Sequence, residues 1–144
     1  MALKVELKPG ERILVGASVI TNGRHRARFL IEGKAPVLRE KDIITAEQAT
    51  TPAKRIYFAV LLMYTAENPA AHHATYFSLV GDFLQAAPSA REQIEVINNQ
   101  ILRGEVYKAL KSAKELITYE QDLIGNEERR KSLRSSRKQD VPSA

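Results

Sequence analysis

Six cations punctuate the first third of the chain at strand-like spacing: Lys4, Lys8, Arg26, Arg28, Arg39 and Lys41. Each falls on an outward or edge position of a period-2 pattern. Cations spread along extended backbone can follow the phosphates of a nucleic acid. Lysines on edge strands also serve a plainer purpose, keeping sheets from pairing edge to edge. Composition alone weighs the two readings evenly. No helical segment carries its cations along one face. A flat sheet holding single-stranded RNA therefore fits better than a recognition helix in duplex DNA.

Other chemistry is scarce. His72 and His73 are adjacent on a predicted helix, so they project about 100° apart and cannot chelate one ion from one face. They read as ordinary helix residues. His25 sits among Arg24, Arg26 and Arg28 and reads as a solvated turn residue, with base stacking as the sharper alternative. Gly10 and Gly16 bracket a stretch without the Lys-Ser/Thr of a phosphate-binding loop. The chain has no cysteine, which excludes a disulfide framework, a thiolate metal site and a cysteine nucleophile. Neither a paired-carboxylate site nor a nucleophile elbow stands out. The expectation is a binding protein, not an enzyme, with no metal and no cofactor.

The elements that must position the cations follow from pattern and charge. The 144 residues suffice for one domain, or for two small modules sharing a core. Residues 1–45 hold nine Lys/Arg and five Asp/Glu, residues 46–124 seven and nine, and residues 125–144 six and three. The net charge of +5 therefore sits at the two ends.

The first block alternates. Leu3, Val5 and Leu7 face one way, and Lys4, Glu6 and Lys8 the other. Pro9-Gly10 is a turn signal. Asn22-Gly23 is a strong hairpin signal, because both residues tolerate positive φ. Ala27, Phe29 and Ile31 then point inward, opposite Arg26 and Arg28. A last strand spans residues 36–41 with Val37, Arg39 and Lys41 on one face. About five short antiparallel strands are expected.

The second block follows a 3.6-residue period. Thr51-Pro52 starts a helix with a cap and Pro at its first position. Ile56, Val60, Met63 and Tyr64 form one stripe, and apolar residues on its other faces make this helix central. Asn68-Pro69 starts a second helix, ended by Pro88. Ser89 with Glu92 is a capping box for a third, and Gly104 closes it. A fourth runs from about Glu105 to Ile124 and is expected to stop at Gly125. The basic segment 125–144 has few aliphatic residues and is expected to be disordered.

The fold class expected is α+β: an N-terminal β-module (1–45), a four-helix module (46–124) and a basic tail (125–144). A β-module of about 45 residues lies near the lower limit for folding alone. It must lean on the helices or share strands with a second copy, so a homodimer through this block is expected. The N-terminus lacks the apolar run of a signal peptide, and the longest apolar run, residues 57–64, is far below the roughly 20 residues that span a bilayer. A cytoplasmic protein without membrane contact is expected.

Residues 3–16 (LKVELKPGERILVG), 35–43 (APVLREKDI), 51–64 (TPAKRIYFAVLLMY), 75–89 (TYFSLVGDFLQAAPS), 97–111 (INNQILRGEVYKALK) and 116–124 (LITYEQDLI) resemble the FlbT family of bacterial flagellin-synthesis regulators. That resemblance implies a post-transcriptional regulator associating with the 5′ untranslated region of flagellin mRNA and promoting its decay. It implies FlaF as a companion, and that some members favour flagellin production. The first block alone (KPGERILVG and RARFLIEGKAPVLREKDI) is similar to the CsrA family of RNA-binding regulators, which form strand-exchanged β-dimers on mRNA leaders. That similarity implies an RNA-contacting Arg at Arg39 and an aliphatic contact at Val5. The paired arginines of that family are Leu7-Lys8 here, which leaves a phosphate contact through Lys8. The expected RNA contacts are thus Arg39, Lys41, Lys8, Lys4, Val5, Arg26 and Arg28. The rival expectation is a helical adaptor holding flagellin or FlaF, with indirect effects on RNA.

Overall fold

A computed structural model describes residues 2–139. The fold is α+β, with five strands followed by four helices. The strands are β1 (Ala2–Leu7), β2 (Arg12–Val15), β3 (Ser18–Thr21), β4 (Ala27–Glu32) and β5 (Val37–Arg39). The helices are α1 (Pro52–Thr65), α2 (His73–Ala86), α3 (Arg91–Leu102) and α4 (Val106–Gln139).

The strands form two sheets, β1-β4 and β3-β2-β5, all antiparallel. Alternation places Val5 opposite Phe29 and Leu7 opposite Ala27 on the inner face of the first sheet. Val5, Leu7 and Ile13 are fully buried between the sheets, with Val15, Phe29, Ile31 and Val37 packed around them. Three buried side chains make a small core, so the module must lean on something else. Leu38, on the other face of β5, points into the helical core, and Leu14 of β2 packs against it. The result is three layers: the two-stranded sheet, the three-stranded sheet, then helices.

The chain crosses between sheets at its turns. Glu11 N–H donates to the Lys8 carbonyl at 3.0 Å around Pro9-Gly10, and Gly10 has φ +75°. Proline followed by a positive-φ glycine is a type II turn. The hairpin joining β2 to β3 turns at Gly16-Ala17, with Gly16 at φ +61°. Asn22-Gly23 does not make the expected hairpin. Neither residue has positive φ, and the segment carries the chain from β3 across to β4 in the other sheet. The Asn22 side-chain amide reaches the carbonyls of Leu7, Lys8 and His25 at 3.1, 2.9 and 2.9 Å. Tertiary hydrogen bonds outweigh the local turn preference there. The last strand ends at Arg39, and Lys41 lies in a 3-10 turn, Glu40–Asp42.

Helix α1 is the centre of the second block, burying Ile56, Tyr57, Val60 and Met63. Its N-terminus is capped twice. Thr51 Oγ1 accepts from Lys54 N–H at 3.3 Å, and Glu120 of α4 accepts from Ala53 N–H at 2.9 Å. Asn68-Pro69 opens a 3-10 turn, and α2 proper begins at His73. The capping box expected at Ser89 and Glu92 is absent: α3 starts after Ala90 without a side-chain cap, and the Ser89 hydroxyl pairs with that of Tyr119. A capping box forms instead between Thr45 and Gln48. Gly104 closes α3 at φ +77°.

Helix α4 does not stop at Gly125 but continues to Gln139. One glycine inside a helix costs about 1 kcal/mol, and the Glu, Arg, Lys and Leu residues beyond it are strong helix formers. Glu127 and Lys131 add an i,i+4 pair at 3.9 Å. Of the basic segment expected to be disordered, residues 126–139 thus continue this helix, while residues 140–144 lie outside the described residues. No described helix is long and apolar enough to cross a membrane.

Candidate nucleic-acid interface

The cations divide into paired and open groups. Arg26 Nη1 lies 3.2 Å from Glu6 Oε1, and Arg28 Nε lies 3.8 Å from the same oxygen. Both arginines belong to the solvent face of the β1-β4 sheet, where Glu6 is registered opposite Arg28. Lys4 shares that face and stands opposite Leu30. Among the described residues Lys4, Lys8, Arg39 and Lys41 have no carboxylate partner, and all four are exposed.

Arg39 is where the surface converges. It lines a groove with Lys4, Arg28 and Leu30, and a second with Lys8, Arg26 and Lys41. It also borders a cleft that opens toward α4. Its register opposite Ile13 puts it on the inter-sheet face of β5, at the open margin of the small core. Val5 is placed differently from its expected role as a ligand contact. Its side chain is 3% exposed and packs between the sheets, so it supports the platform from below.

Two tyrosines on α1 hold Arg39 in place. Tyr64 Oη accepts from Val37 N–H at 3.2 Å and donates to the Val37 carbonyl at 3.3 Å. The Tyr57 hydroxyl donates to the Asp42 carbonyl. Seven residues apart, they lie on one helix face and bracket the segment bearing Arg39 and Lys41. Burial, reinforced by Asp42 and Tyr107, pushes the Tyr57 hydroxyl well above the usual tyrosine range, so it stays a donor. The third fastener is Arg12, whose backbone N–H and guanidinium both bond Glu40 at 3.1–3.2 Å. Those bonds hold the Glu40 carboxyl below the usual carboxylate range.

Sequence reasoning missed Tyr57, Tyr64, Arg12 and Glu40 as positioning groups. The seven-residue tyrosine spacing was visible; the partners, being backbone atoms of a distant strand, were not. His25 is exposed beside the sheet crossing, and His73 packs edge-on against Phe77 at 6.5 Å. No metal-ligand cluster occurs among the described residues.

The family model for "Flagellar protein FlbT" matches residues 3–124, which takes in both sheets, all the cations above and α4 as far as Ile124. The chain belongs to the FlbT family. A relative from Bradyrhizobium diazoefficiens, named probable flagellum biosynthesis repressor protein FlbT 1, is 54% identical over 100% of this chain and 99% of its own length. One from Rhodopseudomonas palustris, named probable flagellum biosynthesis repressor protein FlbT, is 51% identical over 86% of this chain and 98% of its own. The flagellum biosynthesis repressor protein FlbT of Caulobacter vibrioides is 37% identical over 88% and 92%. No solved structure matches this chain.

Proposed function

We propose that this chain regulates flagellum biogenesis after transcription, binding the 5′ untranslated region of flagellin mRNA and repressing its translation or promoting its degradation. The observation that carries this reading is the open cationic margin centred on Arg39. Lys4, Lys8 and Lys41 surround it unpaired, while Arg26 and Arg28 share the single carboxylate of Glu6. The names of the relatives support the flagellar part of the reading. Arg39 is the central contact, and the lysines neutralise flanking phosphates. The effect on the message comes from covering the ribosome site or exposing the leader to nucleases. This chain needs no catalytic group for either.

A second copy of the chain is the partner proposed for the β-module. β3 is exposed along its whole length, with Val19 at 57% and Ile20 at 43%. Its outer edge is unpaired, as is that of β4 in the facing sheet. Such edges are templates for pairing, and two of them on one molecule allow a closed two-fold dimer.

Direct titration of purified protein with flagellin leader RNA tests the reading. Binding that is tighter than to a scrambled RNA supports it. Equal affinity for both marks a nonspecific single-strand binder and overturns it. Absence of RNA binding together with capture of flagellin or FlaF establishes the adaptor alternative instead.

A further inference from the structure

The cleft between β5 and α4 shares Arg39 and Lys41 with the surface described above but adds Tyr107, Lys111 and Lys114 of α4. It encloses about 450 Å³, within the roughly 300–1,000 Å³ typical of small-ligand sites and far too small for a duplex. Its floor is apolar, formed by Leu3, Val37, Leu38 and Leu110. Its rim carries four cations, Arg39, Lys41, Lys111 and Lys114, against one carboxylate, Asp42. Asp42 is already engaged by Lys114.

One wall is aromatic. Tyr107, in the first turn of α4, is 45% exposed. Its ring lies 5.6 Å from that of Tyr64, tilted by 41° to it. Lys111 Nζ lies over the Tyr107 ring, 4.7 Å from its centroid, so a base stacks on that face as the ammonium moves from the ring to the phosphate. An exposed ring, an apolar floor and cations at the mouth match the parts of one nucleotide: a flat base and a phosphate. A peptide bearing only carboxylates would use the cations but leave ring and floor unfilled. Arg39 lines this cleft as well as the two grooves on the sheet side, so a strand crossing Arg39 can deliver a base into it.

We propose that this cleft receives one unstacked nucleotide of the bound RNA, its base stacked on Tyr107 and its phosphate held by Lys111 and Lys41. The inference rests on the RNA-binding reading and extends the interface from the β-module onto the helical module.

The test is an anisotropy titration of the full chain with fluorescein-labelled flagellin leader RNA. Stacking on one aromatic contributes roughly 5- to 150-fold in affinity. Tyr107→Leu should therefore weaken binding about tenfold, while Tyr107→Phe, which keeps the ring, should bind as wild type does. Lys111→Ala should lower the log–log salt slope by about 0.7. Circular dichroism checks each fold, and Tyr107→Phe and Lys111→Ala keep the test decisive if Tyr107→Leu fails to fold. If Arg39→Ala weakens binding while the Tyr107 and Lys111 variants match wild type, the cleft proposal falls and the RNA reading stands. Equal losses for Tyr107→Phe and Tyr107→Leu would overturn stacking. A wild-type chain that binds no RNA overturns both.

Discussion

Tyr64 on α1 grips Val37 at the start of β5 through both backbone groups, accepting from its N–H at 3.2 Å and donating to its carbonyl at 3.3 Å. A helix thereby holds the strand that carries Arg39. Tyr64→Phe removes both bonds and leaves a part-buried N–H and C=O without their partner. The expected cost is about 1–2 kcal/mol, read as a lower midpoint in urea. RNA affinity should fall with it, since Tyr64 holds the strand bearing Arg39 and packs 5.6 Å from the Tyr107 ring. An unchanged midpoint would show that the sheets stand without this clamp.

Glu120 links the far ends of the helical module. The residue is 7% exposed, and its carboxylate accepts from Ala53 N–H at 2.9 Å, at the positive end of the α1 dipole. Glu120→Ala leaves that N–H unsatisfied in a buried setting and should destabilise the fold by about 1–3 kcal/mol. Glu120→Gln keeps an acceptor and should cost less. Thermal unfolding of the two variants side by side checks the order.

The split between paired and open cations predicts unequal effects on RNA binding. Arg39→Ala should weaken leader binding and lower the salt slope by about 0.7, the value for one lost single-strand phosphate contact. Arg28→Ala should do less, because Glu6 already offsets that charge. Glu6→Gln frees Arg26 and Arg28 together and should strengthen binding. A titration in which Glu6→Gln weakens binding would contradict the assignment of that face.

Two buried tyrosines make stability fall at alkaline pH. Burial pushes the hydroxyls of Tyr57 and Tyr76 above the usual tyrosine range, and Asp42 and Tyr107 add to the effect at Tyr57. The unfolded chain ionises near pH 10, before the folded one. Their contribution is therefore complete below about pH 10 and lost as pH rises above it. Phenolate absorbance of the folded chain should show Tyr57 and Tyr76 titrating late. Ionisation of these two near pH 10 with the fold intact would overturn this assignment.

The open β3 edge predicts self-association. Val19→Lys with Ile20→Lys places two charges on the exposed strand, which blocks edge pairing. Sedimentation should show wild type as a dimer and the double variant as a monomer. A wild type that stays monomeric at high concentration removes the second copy from the proposal.

Local physics accounts for much of this architecture. Alternation placed Val5 and Leu7 on one face and Lys4 and Glu6 on the other, because side chains in a strand point alternately. Thr51-Pro52 fixed the start of α1, since a capped N–H and a preset φ favour helix onset wherever the chain goes. Pro9-Gly10 and Gly104 turned as their backbone preferences require. The basic margin itself was legible as spacing of Arg39, Lys8 and Lys4. What tertiary structure decided was every case in which a distant group competed with a local preference. Asn22-Gly23 became a crossing between sheets because the Asn22 amide found the carbonyls of Leu7 and Lys8. Ser89 left its expected cap for Tyr119. Which cations remain open was also beyond local reading: Glu6 reaches Arg26 twenty residues away, and Tyr64 reaches Val37 twenty-seven residues away. A pattern can place a side chain on a face, but only the packed fold brings together the groups that neutralise or hold it.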